Sequence, residues 1–410
     1  MVRLYFDDLK EGLMIALGAI RANKMRSALT TLGIVIGIVS VTLMGTAIEG
    51  LDRAFNKSIA VIGADVLYVQ KWPWGGGGNW WEIRNRKDLL IQHAKAIQED
   101  ATTVASVSPI MGTRRNIKYA DKIVEMVVVL GTNADFLETT NANVALGRFM
   151  TSMEAEGGRP VCVLGSEVAE ALFPFEHPIG KTIKVGNYPY RVAGVLEKQG
   201  SFLGLESFDN RVYVPISRFF SEFMSRRGGI QIWVKAGSLE SVDETKEELR
   251  GILRRARQVE PREPDDFAIN QQEFFIETFN QIGGVIAAVG LFITGLALFV
   301  GGIGIMNIMF VSVTERTKEI GIRKAIGAPN RSILMQFLME SAVICLLGGL
   351  VGIMIAFPLS LIIDQILPTA MPVSIVIISL VISVFVGVVS GFLPAYRASR
   401  MDPVDALRYE

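Results

Sequence analysis

Four stretches of this 410-residue chain, 27–48, 278–314, 341–363 and 365–396, contain no Lys, Arg, Asp or Glu. A helix needs roughly 20 apolar residues to cross a bilayer, and each stretch is longer than that. The charge-free stretches therefore predict four transmembrane helices, and they argue against a soluble enzyme, a disordered chain or a disulfide scaffold. Arg21, Lys24 and Arg26 precede the first run as the basic region of a signal peptide would, but 27–48 is longer than such a core of about 7–15 residues, so it reads as a retained anchor. The 41 basic and 41 acidic residues cancel, which argues against nucleic acid as the main partner, because phosphate contacts need a basic surplus. Cys162 and Cys345, like His93 and His177, stand apart from one another, so no cluster has metal-ligand spacing.

Basic residues set the orientation. Arg3, Lys10, Arg21, Lys24 and Arg26 precede the first span; Arg316, Lys318, Arg323, Lys324 and Arg331 lie between the second and third; Arg397, Arg400 and Arg408 follow the fourth. The connection after the third span has only Asp364. The positive-inside rule then places both termini and the 315–340 loop in the cytoplasm, and 49–277 outside. That large segment mixes short strand patterns (66–70, 123–130, 161–164, 230–235) with helical ones (88–99, 239–257). The expected fold class is an α-helical membrane protein with four transmembrane helices, plus a large extracytoplasmic α/β (α+β) domain on a helical stalk between the first and second spans. Expected boundaries are an amphipathic cytoplasmic helix in 1–26, the first span and stalk in 27–60, the outer domain in 61–265 with an inserted subdomain at 131–210, and the second stalk and span in 266–314. A short cytoplasmic helix at 315–330, spans at 331–363 and 374–396 around an outer loop at 364–373, and a tail at 397–410 complete the chain. Gly186-Asn187 reads as a hairpin turn between two strands.

Three local features are candidate sites. Residues 72–81 hold Trp72, Trp74, Trp80 and Trp81 among four glycines, a loop that offers indoles to a substrate or partner, or packs them on its own domain. The pairs Gly33/Gly37, Gly348/Gly352 and Gly387/Gly391 are GxxxG spacings that permit close helix approach and oligomerisation in lipid. In 315–330, Glu319 and Arg323 are spaced to pair, Gly327 and Pro329 stop the helix, and Asn330 is placed to cap the next. Ile320, Ile322 and Ile326 there suit docking to a cytoplasmic protein, although a solvated linker fits as well. The carboxylates Glu154, Glu156, Asp265 and Asp266 read as surface and capping groups rather than a catalytic set.

The string ERTKEIGIRKAIGA at 315–328 resembles the signature of the FtsX-like permease family, the membrane subunits of type VII (mechanotransmission) ABC systems. NKMRSALTTLGIVIGIVSV at 23–41, PIGKTIKVGNYPYRVAGVL at 178–196 and PAYRASRMDPVDALRYE at 394–410 are similar to the MacB-type branch. The resemblance implies a homodimer in a bacterial inner membrane, with a periplasmic domain and a cytoplasmic ABC ATPase partner, and possible contacts with a periplasmic adaptor, an outer-membrane channel and lipid. It makes 315–328 a coupling helix that sits in a groove of the ATPase. Glu315, Arg316, Glu319, Arg323 and Lys324 would supply the polar contacts, and Ile320, Gly321 and Ala325 the packed face.

The implied function is export of an amphiphilic substrate such as a macrolide, peptide or lipid-like molecule; lipoprotein release and FtsX-type control of a cell-wall hydrolase are the alternatives. No G-x-x-x-x-G-K-[ST] motif occurs: Gly180-Lys181-Thr182 has Phe175 where the first glycine belongs. The chain is thus expected to hold no cofactor and to perform no catalysis, with ATP and Mg bound by a separate ATPase polypeptide.

Overall fold

The computed structural model describes residues 24–76, 79–202, 206–223, 229–364 and 371–408. The amphipathic helix expected near the N-terminus lies outside them. The chain divides into two units, 1–54 with 281–410 and 55–280.

The first helix, α1 (Lys24–Ile62), has 39 residues, about 58 Å at 1.5 Å each, nearly twice the ~30 Å hydrocarbon thickness. The α/β unit follows in the order β1 (Val66–Gln70), α2 (Trp80–Asn85), α3 (Ile91–Asp100), β2 (Val104–Tyr119), β3 (Lys122–Thr132), α4 (Phe136–Thr140) and β4 (Val144–Gly147). It continues through α5 (Ser152–Glu156), β5 (Val161–Leu164), α6 (Ser166–Leu172), β6 (Thr182–Val185), β7 (Tyr188–Leu196), β8 (Ser201–Phe202) and β9 (Glu206–Ser207). Its last elements are β10 (Arg211–Pro215), α7 (Ile216–Phe223), β11 (Gln231–Ala236), α8 (Val242–Arg257) and β12 (Ala268–Gln271).

One mixed sheet runs β12-β1-β11-β2-β3-β10-β5-β7-β4, with β6 paired to β2 and β7. β2 joins two lobes. Its first half pairs with β11 and its second half, from Met111, pairs with β3. Pro109, which has no N–H for a ladder, falls in the first half, where β11 is the partner and the β3 ladder has not begun.

Side-chain alternation along the strands sorts the sheet into two faces. On one, Leu67, Val69, Ile232 and Val234 form a core with Ile97 of α3 and Leu249 and Leu253 of α8. Val127, Val129, Val212 and Val214 form another with Leu172 of α6 and Phe219 of α7. Because Ile117 and Phe219 share that second core, the inserted lobe starts within β2 and extends to α7, which corrects the expected 131–210 boundary. A strand shared by two lobes has no composition break at the point where they divide. The β6–β7 hairpin turns at Gly186-Asn187 as expected, with Gly186 at φ +60. A positive φ at the first central position alone is the type II′ arrangement.

The unit made of 1–54 and 281–410 holds most of α9 (Glu273–Glu315), together with α10 (Thr317–Ala325), α11 (Asn330–Asp364), α12 (Val373–Ser399) and α13 (Pro403–Arg408). α1, α9, α11 and α12 are each long and apolar enough to span a membrane. Their interfaces use small residues. A Cβ on Gly33 would stand 2.8 Å from Gly301 Cα, one on Gly37 would strike Leu298, and Gly348 and Gly352 lie against Ile34 and Ile38. Gly387 and Gly391 meet Ser341, with Cys345 beside Gly387. All three GxxxG pairs are therefore occupied by contacts within this chain. Buried hydroxyls add bonds between helices, Thr42 with Ser379 at 3.1 Å and Ser383 donating to the Cys345 carbonyl at 2.5 Å.

Candidate functional site

The segment after α9 turns sharply because Arg316 leaves helical geometry at φ −107. α10 then runs for nine residues. It ends in a Schellman motif: Gly327 N–H donates to the Lys324 carbonyl and Ala328 N–H to that of Arg323, with Gly327 at φ +100. α11 begins at Asn330, so this asparagine is the first helical residue rather than a residue ahead of the helix, and Ser332 N–H donates to the Pro329 carbonyl.

At 100° per residue, α10 splits into two faces. Thr317, Ile320 and Gly321 are buried, with Lys324 half-buried beside them; Lys318, Glu319, Ile322 and Ile326 are exposed on the opposite side. The inward face is fixed at three places. A Cβ on Gly321 would stand 2.8 Å from Ala406 Cβ, so the glycine permits α13 to lie against α10. Lys324 Nζ donates to the Met401 carbonyl at 2.7 Å. Arg316 pairs with Glu340 of α11 at 3.3 Å, and Glu340 is only 3% exposed.

The eight residues expected to couple are thereby separated. Glu315, Glu319, Arg323 and Ala325 are exposed; Arg316 and Lys324 turn to intrachain partners; Ile320 and Gly321 are enclosed by the chain itself. Glu319 and Arg323 form the expected i,i+4 pair at 2.6 Å, and Arg323 also donates to Gln336 at 2.6 Å. Ile322 and Ile326 are 51% and 83% exposed. Spacing alone did not separate these two from Ile320, and it gave no hint of Glu340, Gln336, Met401 or Ala406 as supports. The one available signal was Glu340, a carboxylate next to a long apolar run.

The four tryptophans are also placed differently from one another. Asn270 clamps the backbone around Pro73, its Oδ1 accepting from Trp74 N–H at 3.0 Å and its Nδ2 donating to the Trp72 carbonyl at 3.1 Å. Trp74 packs inward on Tyr68 and Phe275, with centroids at 5.0 and 4.5 Å. Trp72 is exposed, with the Lys71 ammonium 5.8 Å from its ring. Trp80 and Trp81 belong to α2, a correction to the loop expected over 72–81. Asn79 caps that helix through its bonds to Trp81 N–H and Glu82, so both indoles project from a regular first turn beside Arg84.

Residues 27–252 match the MacB-like periplasmic core domain, and residues 291–403 match the FtsX-like permease C-terminal domain. Among curated relatives, the macrolide export ATP-binding/permease protein MacB of Rhodopirellula baltica is 33% identical over 97% of this chain and 62% of its own length. The homologous MacB of Azoarcus sp. is 34% identical over 98% of the chain and 60% of its length. The pyoverdine export ATP-binding/permease protein PvdT of Pseudomonas putida is 32% identical over 98% of the chain and 60% of its length. The chain thus spans about three-fifths of the length of these relatives. The crystal structure of the periplasmic region of MacB from Actinobacillus actinomycetemcomitans aligns with a TM-score of 0.45 at 20% identity, covering 54% of this chain and 95% of that one.

Proposed function

We propose a function from one premise: the chain belongs to the FtsX-like ABC transporter permeases that carry a MacB-like periplasmic core domain. It acts as the multi-pass permease of an export system in a bacterial inner membrane, with both termini cytoplasmic. α10 receives the motion of a cytoplasmic ABC ATPase, and the long helices α1 and α9 deliver it to the periplasmic domain. ATP and Mg are bound by a nucleotide-binding module outside these 410 residues. Two permease copies work together, and the exported molecule is amphiphilic; macrolide and pyoverdine export by the named relatives favour that substrate class.

The observation that carries this reading is the two-faced α10. A solvated linker has no reason to expose Ile322 and Ile326 while its opposite side is tied down by Glu340, Met401 and Ala406. A rigidly seated helix with an apolar and charged outer face suits docking and force transfer. Glu319 and Arg323 flank the exposed isoleucines and fix the register of the docked surface.

The test is affinity purification of the tagged chain with the ABC ATPase encoded beside it, in wild type and in the double variant Glu319→Lys, Arg323→Glu. The swap keeps the i,i+4 pair within α10 but reverses the charge order that the partner meets. Wild type should retain the ATPase and the mixture should turn over ATP, while the variant inserts normally and loses the ATPase. Equal recovery of the ATPase with both chains would overturn the coupling assignment.

A further inference from the structure

Arg316 stands at the bend where α9 ends and α10 begins. Its guanidinium reaches Glu340 of α11, the residue directly before the charge-free stretch 341–363. One turn earlier on α11, Gln336 accepts from Arg323 of α10 at 2.6 Å. Two arginines of the coupling segment, about two turns apart, thus hold two positions one turn apart on the helix that becomes the third span. Around them Ile320, Ile333 and Phe337 share one buried core. Apolar surfaces of that kind can slide, because their attraction has no direction. A charge-assisted bond is directional and keeps its partners in register.

The pair is incomplete as it stands. Arg316 Nη1 donates to Glu340 Oε2 at 3.3 Å, long for a bond between charged groups, which close to about 2.7–2.9 Å. Glu340 is buried, and its Oε1 has no hydrogen-bond partner among the described residues. A buried carboxylate oxygen without a donor is costly. The group that would satisfy it is already adjacent, because a guanidinium presents its N–H groups as a fork that matches both oxygens of a carboxylate. A gap of about 10 Å³, lined by Arg316, Arg323 and Gln336, lies between the two helices. A small advance of α10 toward α11 therefore has room to complete the pair.

We propose that Arg316 and Glu340 are a latch between the coupling helix and the third span. It is open in this structure, with one bond, and closes to a bidentate pair when α10 is pressed toward α11. Closure makes the start of α11 follow α10 where apolar contact alone would slip. Glu340 is enclosed by the chain and acts through Arg316, so it is a positioning residue. The pressing force rests on the docking reading above; the unpaired oxygen does not.

The experiment uses the whole chain in lipid nanodiscs with the ABC ATPase encoded beside it. Hydrogen exchange is read by mass spectrometry at 317–326 and 330–340, before and after addition of a non-hydrolysable ATP analogue with Mg. In wild type the ATPase should protect 317–326, and the analogue should slow exchange at 330–340 about tenfold, the effect of one added charge-assisted bond. Glu340→Gln removes the carboxylate charge, whereas Arg316→Lys keeps its charge and loses the fork. In both variants Lys324 on Met401 and Gly321 on Ala406 still seat α10. Each should recover the ATPase and protect 317–326 as wild type does, and lose the response at 330–340. A pair that only balanced charge would leave Arg316→Lys fully responsive. That result, or a wild-type complex with 317–326 protected and no response at 330–340, would overturn the latch while the docking reading stands. No protection of 317–326 in wild type would overturn the docking reading and the latch with it.

Discussion

His93 illustrates how much one side chain depends on its surroundings. In sequence it stands alone; in the fold it is the third residue of α3, and its Nδ1 accepts from Leu90 N–H at 3.1 Å. Arg257, tied to Asp266 at 2.6 Å, approaches the same nitrogen at 3.3 Å. Two donors on one nitrogen leave the ring proton on Nε2, and a second proton would be repelled. Burial, then the Arg257 charge, lower the His93 pKa from its ordinary 6.5. The unfolded chain takes up that proton first, so the His93 contribution is intact above about pH 6.5 and is lost as pH falls below it. Amide-exchange protection of 90–97 should accordingly drop between pH 7.5 and 5.5. His93→Gln, which keeps an acceptor but does not titrate, should flatten that drop. A similar reading covers the carboxylates: Glu154 forms a capping box with Thr151 and pairs with Arg148 at 2.7 Å, and Asp265 binds Arg250 and Arg254. Their role is structural, and only the fold names their partners. Gly321 is a residue-scale test of the α10 support. Gly321→Val adds a side chain where Ala406 already sits, and it should free α13, read as faster proteolysis after Arg400.

The separation of faces in α10 is an element-scale property. Its length and its stop were legible in the residues themselves, because Glu319/Arg323 spacing, Gly327 and Pro329 act locally. It could not say which isoleucine faces inward, because that depends on α11 and α13 closing over one side. The consequence is a split in mutant behaviour. Ile320→Ala should destabilise the chain by about 2–4 kcal/mol, the usual range for emptying a buried aliphatic site, seen as a lower Tm in detergent. Ile322→Ser with Ile326→Ser should leave the Tm within a degree or two and instead reduce recovery of the ATPase. If the exposed pair lowered the Tm as much as Ile320→Ala, α10 would be a packing element and not a docking one.

The membrane unit is held by close approach of backbones. Lipid offers apolar side chains no reason to prefer each other, so packing and interhelical hydrogen bonds must supply the specificity. Gly33 against Gly301, Gly352 against Ile38 and Thr42 with Ser379 meet that need. Gly33→Leu should force α1 from α9, costing about 1–3 kcal/mol as overpacking and reducing the monodisperse yield in detergent. Gly283→Leu, where an added Cβ meets nothing within 4 Å, is the matched control and should be tolerated. In the α/β unit the corresponding large-scale feature is β2, whose halves serve different lobes.

The four spans, the sign of the charge on each loop, the short helix between the second and third spans and the family to which the chain belongs can all be read along the chain without a fold. Each of these rests on local composition, on basic residues counted along the chain, or on a contiguous motif. Tertiary structure alone decided the inner and outer faces of α10, the assignment of the GxxxG pairs to contacts within the chain, the lobe boundary inside β2, and the packing of Trp74 onto Tyr68 and Phe275. Those properties come from residues far apart in sequence, brought together by strand register and helix packing, and register is set by the partners of a strand rather than by the strand itself.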